Sequence, residues 1–273
     1  MKHIFYISLF TLILSCSRPE KKLDEQSYDF QKYTSVQDSI IKTTFSKLIE
    51  KKLDKYDPEV QTIFDEGLLT DSTISYLWQQ KAMLLYKQGK YELGLPFLDK
   101  AVKYNRREYL SYRAFMKCIF AKDYNGAIKD FELCIKEQGN LYEMDHSYQF
   151  YIALSFLQLN KFEKAENIFR EDINTLIKTK GINWVHHLDL FYYGISLFEQ
   201  KKYAEAIIQF DIALEKYPEF SDVQYYKAKA LKKSGNEDIA EKLIENAEKN
   251  AKLGYTINDD NTIYERYPYQ VRW

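Results

Sequence analysis

The sequence predicts an all-α fold built from repeats, and three observations carry that expectation. Small and large apolar residues recur at a fixed distance: Leu48, Val60, Phe64 and Gly67 each stand 34 residues before Ala82, Gly94, Leu98 and Ala101. Helix breakers are scarce, with 9 Gly and 5 Pro in 273 residues, so long helices can run uninterrupted. The 39 basic and 40 acidic residues are interspersed, as on amphipathic helices that each show one face to water.

Residues 1–15 come first in chain order. Lys2 and His3 precede an apolar run from Ile4 to Leu14. A bilayer-spanning helix needs about 20 apolar residues, so this run is too short to cross; it has the size of the hydrophobic region of a secretory signal peptide. It ends Ile13-Leu14-Ser15-Cys16, which resembles the lipobox of bacterial lipoproteins, with Ile13 where Leu is usual. That resemblance implies cleavage before Cys16 and lipidation of the new N-terminal residue. It also implies export to a lipid-anchored place in the cell envelope, the outer membrane in preference to the inner. An ordinary signal peptide, or a buried helix with an incidental thiol, is the other reading of the same residues. Residues 16–34 are polar and charged and suit a tether.

Residues 35–252 hold the repeats. Asp57-Pro58-Glu59 supplies an N-cap, a proline for the first helical position and an early acid. Leu190, Tyr193, Gly194 and Leu197, followed by Tyr203, Ala206, Phe210, Ala213 and Pro218, make the fullest unit. This pattern resembles the tetratricopeptide repeat (TPR), a 34-residue helix–turn–helix. Further copies fall at 75–108, 108–141, 146–179 and 221–252, with a degenerate one at 41–74; Phe115 departs from the pattern at a place usually held by Gly or Ala. The resemblance implies a right-handed superhelical stack of about five hairpins plus the degenerate N-terminal one. Small residues let paired helices approach closely, and stacking buries faces that a single hairpin leaves exposed. Gly89 and Gly235 fall where a hairpin turn must tighten. The spacing stretches near 136–147 and 174–187, which predicts two insertions on one edge of the stack. Residues 253–273 are too aromatic for a disordered tail and are expected to cap the last hairpin. A recognition strand, or an occupant of the protein's own groove, is the alternative.

In TPR stacks the first helices line the inner face. Carried over residue by residue, the resemblance implies a partner-binding groove of Tyr76, Gln79, Gln80, Met83 and Tyr86, then Tyr109, Tyr112, Arg113 and Met116. Phe150, Tyr151 and Leu154 follow, then Phe191, Tyr192, Ile195 and Phe198, then Tyr225, Tyr226, Lys229, Lys232 and Lys233. Tyrosines with Arg and Met make a good polypeptide-binding surface. A net charge of −1 without a basic block gives no footprint for nucleic acid. Aromatic repeat faces also permit a homodimer.

No phosphate loop, G-x-S-x-G elbow or H-E-x-x-H motif is present, so the chain is expected to be no enzyme, with no cofactor and no metal. His146, His186 and His187, with Glu143, Asp145 and Asp189 nearby, are the residues that would serve a zinc site and a zinc-dependent enzyme, although their spacing matches no recognised ligand set. Cys118 and Cys134 fall on apolar repeat positions, where a free thiol acts as a small hydrophobe; pairing in an oxidising envelope is the alternative. The expected function is a protein-interaction adaptor of the bacterial envelope. An immunity-type inhibitor that neutralises a toxin is the alternative.

Overall fold

A computed structural model describes residues 33–257 and 260–273. The expected leader at 1–15, Cys16 and most of the tether at 16–34 lie outside the described residues. Twelve α-helices pair as hairpins among the described residues: α1 (Ser35–Glu50) with α2 (Pro58–Thr70), α3 (Ser75–Tyr86) with α4 (Tyr91–Tyr104), α5 (Arg106–Phe115) with α6 (Tyr124–Gln138), α7 (Tyr148–Gln158) with α8 (Phe162–Lys180), α9 (His187–Glu199) with α10 (Tyr203–Lys216), and α11 (Ser221–Lys233) with α12 (Glu237–Lys252). Each helix packs on the next in sequence, so the hairpins stack in chain order. None of the described helices is long and apolar enough to cross a membrane.

Local chemistry sets the helix ends. Thr34 and Gln37 form a capping box at α1, and Asp57 caps α2 with Pro58 in the first turn. Asn105, Asp123 and Ser147 cap α5, α6 and α7. Each hairpin turn uses one residue in the left-handed region, in order Lys52, Gly89, Lys122, Asn160, Lys201 and Gly235. Only two of these are glycine. In five of the six turns an amide also bonds the carbonyl five residues back, as in Leu53 N to Leu48 O and Lys202 N to Leu197 O, a Schellman closure that makes up for the cost of a left-handed side chain. The third hairpin differs. Phe115 is fully buried, and the helix widens directly after it into a π turn over Met116–Phe120.

The small residues act as the repeat spacing predicts. A Cβ at Gly94 would meet the Tyr86 ring at 2.6 Å, and one at Gly194 would meet Phe210 at 2.5 Å. These contacts leave no room for a methyl group where the paired helices cross. The hairpins bury one large core running from Ala82 to the C-terminal segment and a smaller one around Leu48, Phe64 and Leu77. Trp78, stacked on Phe97 at 5.8 Å, borders both.

Both insertions are ordered. The first is a β-hairpin, β1 (Tyr142–Glu143) paired antiparallel with β2 (His146–Ser147). The second lengthens α8 to Lys180 and adds a 3₁₀ turn at Ile182–Trp184. They meet: Lys180 reaches to 5.9 Å from the Tyr142 ring centre and His186 packs on His146 at 4.9 Å, while Asn140 and Ser147 both donate to Asp172 of α8, at 2.8 and 2.5 Å. The start of the folded region also reaches further back than residue 35. The Tyr33 hydroxyl lies 3.0 Å from Ser75 Oγ and accepts from the Tyr76 amide at 3.0 Å.

Residues 253–273 pack on the first helix of the final hairpin, through Asp222, Tyr225 and Tyr226, and leave its second helix uncovered. Ile239 and Leu253 remain 59% and 64% exposed at that end. The segment turns inward instead, burying Ile257 and Tyr267 in the large core. The physical reason is the apolar partner available: the aromatic first helices offer more burial than the charged α12.

Candidate peptide-binding groove

Residues 264–273 form a strap that runs from the hairpin turns at Lys87 and Lys122 onto the first helices at Tyr192, Asp222 and Tyr226, the inner face. Tyr264 sits under the Lys55 and Lys87 ammonium groups, at 4.9 and 5.1 Å from the ring centre. Glu265 accepts a hydrogen bond from the Tyr91 hydroxyl and pairs with Lys122 at 3.5 Å. Lys122 also donates to the Arg266 carbonyl at 2.7 Å. The Tyr192 hydroxyl donates to the Pro268 carbonyl at 2.9 Å. Tyr269 meets Tyr226 edge-on at 5.9 Å, and Trp273 meets Tyr225 at 5.7 Å. Asp222, fully buried in the first turn of α11, closes the arrangement: one oxygen accepts from Ile257 N at 3.0 Å and the other from Val271 N at 2.7 Å. Burial raises the pKa of the Asp222 carboxyl, while the two amide donors favour its charged form and pull the other way.

The structure corrects the expected groove. Gln80, Met83, Tyr86, Tyr112, Met116, Tyr151 and Tyr192 are all buried, as are Gln79, Tyr109, Phe150, Leu154, Phe191 and Ile195. Neighbouring hairpins account for much of this. Tyr151 is 0% exposed, stacks on Phe131 of the preceding hairpin at 5.1 Å, and donates its hydroxyl to the Glu143 carbonyl. It belongs to the core. Tyr192 is 0% exposed, its ring edge-on to Phe150 of the preceding hairpin at 5.7 Å and its hydroxyl on the strap. Arg113 is engaged by a bidentate bond to Asp130 and a further one to Asp99, each at 2.8 Å, which ties α4, α5 and α6 together. Lys117 shares Asp130. Tyr76 is half-buried and stacked on Phe45. Tyr226 and Phe198 are half-buried, and Lys229 is exposed, reaching over the rings of Tyr225, Tyr226 and Phe198. Lys232 and Lys233 are exposed on α11.

Several residues that make this site were not among the sequence candidates: Asp222, Tyr91, Lys122, Lys55 and Lys87. Asp222 had a signal, because it occupies the second place of its repeat. Lys122 and Lys87 lie in the hairpin turns or beside them, where the repeat pattern assigns no role.

The histidine edge is a packing cluster. His146 Nδ1 lies 2.8 Å from Asp189, whose other oxygen accepts from the His186 amide in a capping box. His186 rests against His146 and His187, and His187 against Tyr217 and Phe220. Burial pushes His186 down to about 4 and His187 to about 3, with repulsion from His146 on both and from His186 on His187 adding to it. Among the described residues no group of three or more His, Cys, Asp or Glu is placed to hold a metal ion. Cys118 and Cys134 are free and buried. Burial pushes their thiols up to about 11 and about 12.

Comparison with known proteins agrees with the geometry. Residues 190–219 match the family model of a tetratricopeptide repeat. No curated protein matches the sequence. Among solved structures, a tetratricopeptide repeat protein from Parabacteroides merdae is similar at 15% identity with a TM-score of 0.61, covering 80% of each chain. A MamA fragment from Desulfovibrio magneticus is similar at 12% identity with a TM-score of 0.54, covering 66% of this chain and 96% of its own. Hairpin geometry, repeat spacing and these likenesses converge, and the chain has the fold of a tetratricopeptide-repeat solenoid.

Proposed function

We propose that this chain is a non-catalytic interaction scaffold whose inner face holds a polypeptide segment of a partner, and that lipid on Cys16 anchors it in the bacterial cell envelope. One observation carries the first part. The inner face already holds a polypeptide, residues 264–273, through ring contacts, a carboxylate anchor and a bond to a main-chain carbonyl. A partner's segment would use the same chemistry, which reads backbone as well as side chains. The anchor is supported by the lipobox-like end of the leader at Cys16.

Crosslinked capture from native envelopes, with wild type beside the Tyr226→Ala/Lys229→Glu variant, tests the scaffold. Lys229 is exposed and Tyr226 lies half-buried at the margin of the core, so circular dichroism of the variant should match wild type. One polypeptide recovered by wild type and lost with the variant supports the reading. Equal recovery with both, or none with either, refutes it. The identity of that partner separates an adaptor from an inhibitor. For the anchor, mass spectrometry of the N-terminal peptide should show acylated Cys16, and Cys16→Ser should release the protein from membranes. An unmodified, uncleaved N-terminus would sink this part.

A further inference from the structure

The inference here rests on the scaffold reading and deepens it. We propose that residues 264–273 stand in for the partner, so that the face selects a polypeptide carrying an acidic residue, then any residue, then aromatic–proline–aromatic. The acidic and last aromatic places each meet a receptor, and proline sets the turn that joins them. The acidic place is Glu265, met by the Tyr91 hydroxyl and the Lys122 ammonium. Lys122 is fixed from behind by the Ile119 carbonyl at 2.5 Å, so the cation is set before the ligand arrives. The first aromatic, Tyr267, is buried in the core. Pro268 presents its carbonyl to Tyr192, and Tyr269 lays its ring against Tyr226. Lys55, Lys87 and Lys122 make this end of the face cationic, which favours an acidic segment over a basic one.

The strap is also an imperfect occupant. Tyr267 to Gln270 form a turn closed by Gln270 N to Tyr267 O at 3.2 Å, with proline second and Tyr269 third at φ 58°. A type II turn wants glycine or asparagine at that third place, and a bulky residue there is strained. The strap therefore holds the face shut less tightly than an unstrained tether would. Displacement of the strap is part of binding.

The test uses the full chain with a loosened strap, Glu265→Lys/Tyr269→Ala, which leaves every receptor residue intact. A fluorescein-labelled peptide of residues 262–273 is titrated by anisotropy, beside peptides with the glutamate changed to lysine or the proline to alanine. The parent peptide should bind, and each altered peptide should bind at least about tenfold more weakly, as loss of one charged or shape-determining contact does. Wild type should bind the parent peptide on the order of 100-fold more weakly, because its tethered strap competes at roughly millimolar effective concentration. Equal binding by wild type and the loosened chain, or by parent and altered peptides, overturns the proposal. Should circular dichroism show the loosened chain unfolded, a second measurement decides. A protease site placed between Ile257 and Tyr264 of the otherwise wild-type chain is cut, and the retained strap is chased with excess peptide. Exchange with the parent peptide alone supports the proposal; no exchange, or exchange with all three peptides, overturns it. A captured envelope partner that is lost with Tyr226→Ala/Lys229→Glu yet lacks the pattern leaves the scaffold standing and overturns this inference alone. Strap exchange between two copies, seen as dimers that the free peptide dissolves, also overturns the assignment to a separate partner.

Discussion

Asp222→Ala should open the strap while leaving the solenoid folded. The Asp222 carboxylate is the single acceptor for two amides fourteen positions apart, Ile257 N and Val271 N, one on each oxygen. Removing it orphans both, and a buried donor without an acceptor costs about 1–3 kcal/mol. Two effects reduce that sum. Ile257 is buried but Val271 is half-buried, so water can reach the second amide. The carboxylate is itself held away from water, which raises its pKa, and the variant no longer carries that cost. A net loss of about 2 kcal/mol remains, or roughly 30-fold more frequent opening. Hydrogen exchange resolved by residue is the assay. Amides of Val271, Gln270 and Ile257 should exchange roughly 30-fold faster, while α3 to α8 keep their protection. Unchanged exchange at Val271 would show that the strap does not depend on this carboxylate. An equal loss of protection along the whole stack would show that the strap is part of one cooperative core and not a separable occupant.

Four further outcomes follow from the packing. Tyr151→Ala should lower unfolding free energy by about 3–5 kcal/mol in urea denaturation, as deletion of a fully buried aromatic does; a change under about 1 kcal/mol would return that side chain to an open surface. Gly194→Ala should destabilise by about 1–3 kcal/mol because its Cβ would meet Phe210, outweighing the roughly 1 kcal/mol that alanine gains in a helix. Stability should fall on acidification below about pH 6.5. His186 and His187 resist protonation until about 4 and about 3, so the unfolded chain takes up protons first. At pH 5 the pair should cost ~2 kcal/mol after allowance for their partial exposure, with the loss roughly halved in His187→Leu; a flat stability profile between pH 7 and 5 would contradict this. Cys118 and Cys134, both buried with raised thiol pKa values, should react with a thiol reagent only after denaturation. Rapid labelling of the native protein would show the core to be open there.

Local features were legible before any coordinates. The spacing of Gly94, Ala101, Gly194 and Ala213 marks helix crossings because those residues are the ones that a crossing cannot enlarge. Asp57-Pro58 gave the start of α2, and Gly89 and Gly235 gave two turns. Four other turns were not readable from residue type: Lys52, Asn160 and Lys201 take the left-handed place under a Schellman closure, and Lys122 takes it after the π turn. Their conformation is set by the helix ends they join and not by their own preference. The insertion near 136–147 was located by spacing, but its β-hairpin and its bonds to Asp172 required the neighbouring hairpin to be in place.

Groove positions were the weakest inference, because one side chain at an inner position can face solvent, a neighbouring hairpin or the chain's own strap. Sequence assigns Tyr151 and Tyr192 to equivalent places in successive repeats, and only the fold separates them: the Glu143 carbonyl takes the first hydroxyl, the strap's Pro268 carbonyl the second. Sequence by itself determined the helical repeats, since small-residue spacing, capping and turn closure act within a few tens of residues. Tertiary structure alone decided what lies on the inner face. Tyr91 and Glu265 are 174 residues apart, and they meet only because the stacked hairpins bring one face round to the other end of the chain, a placement that accumulates over the whole stack and is encoded at no single position.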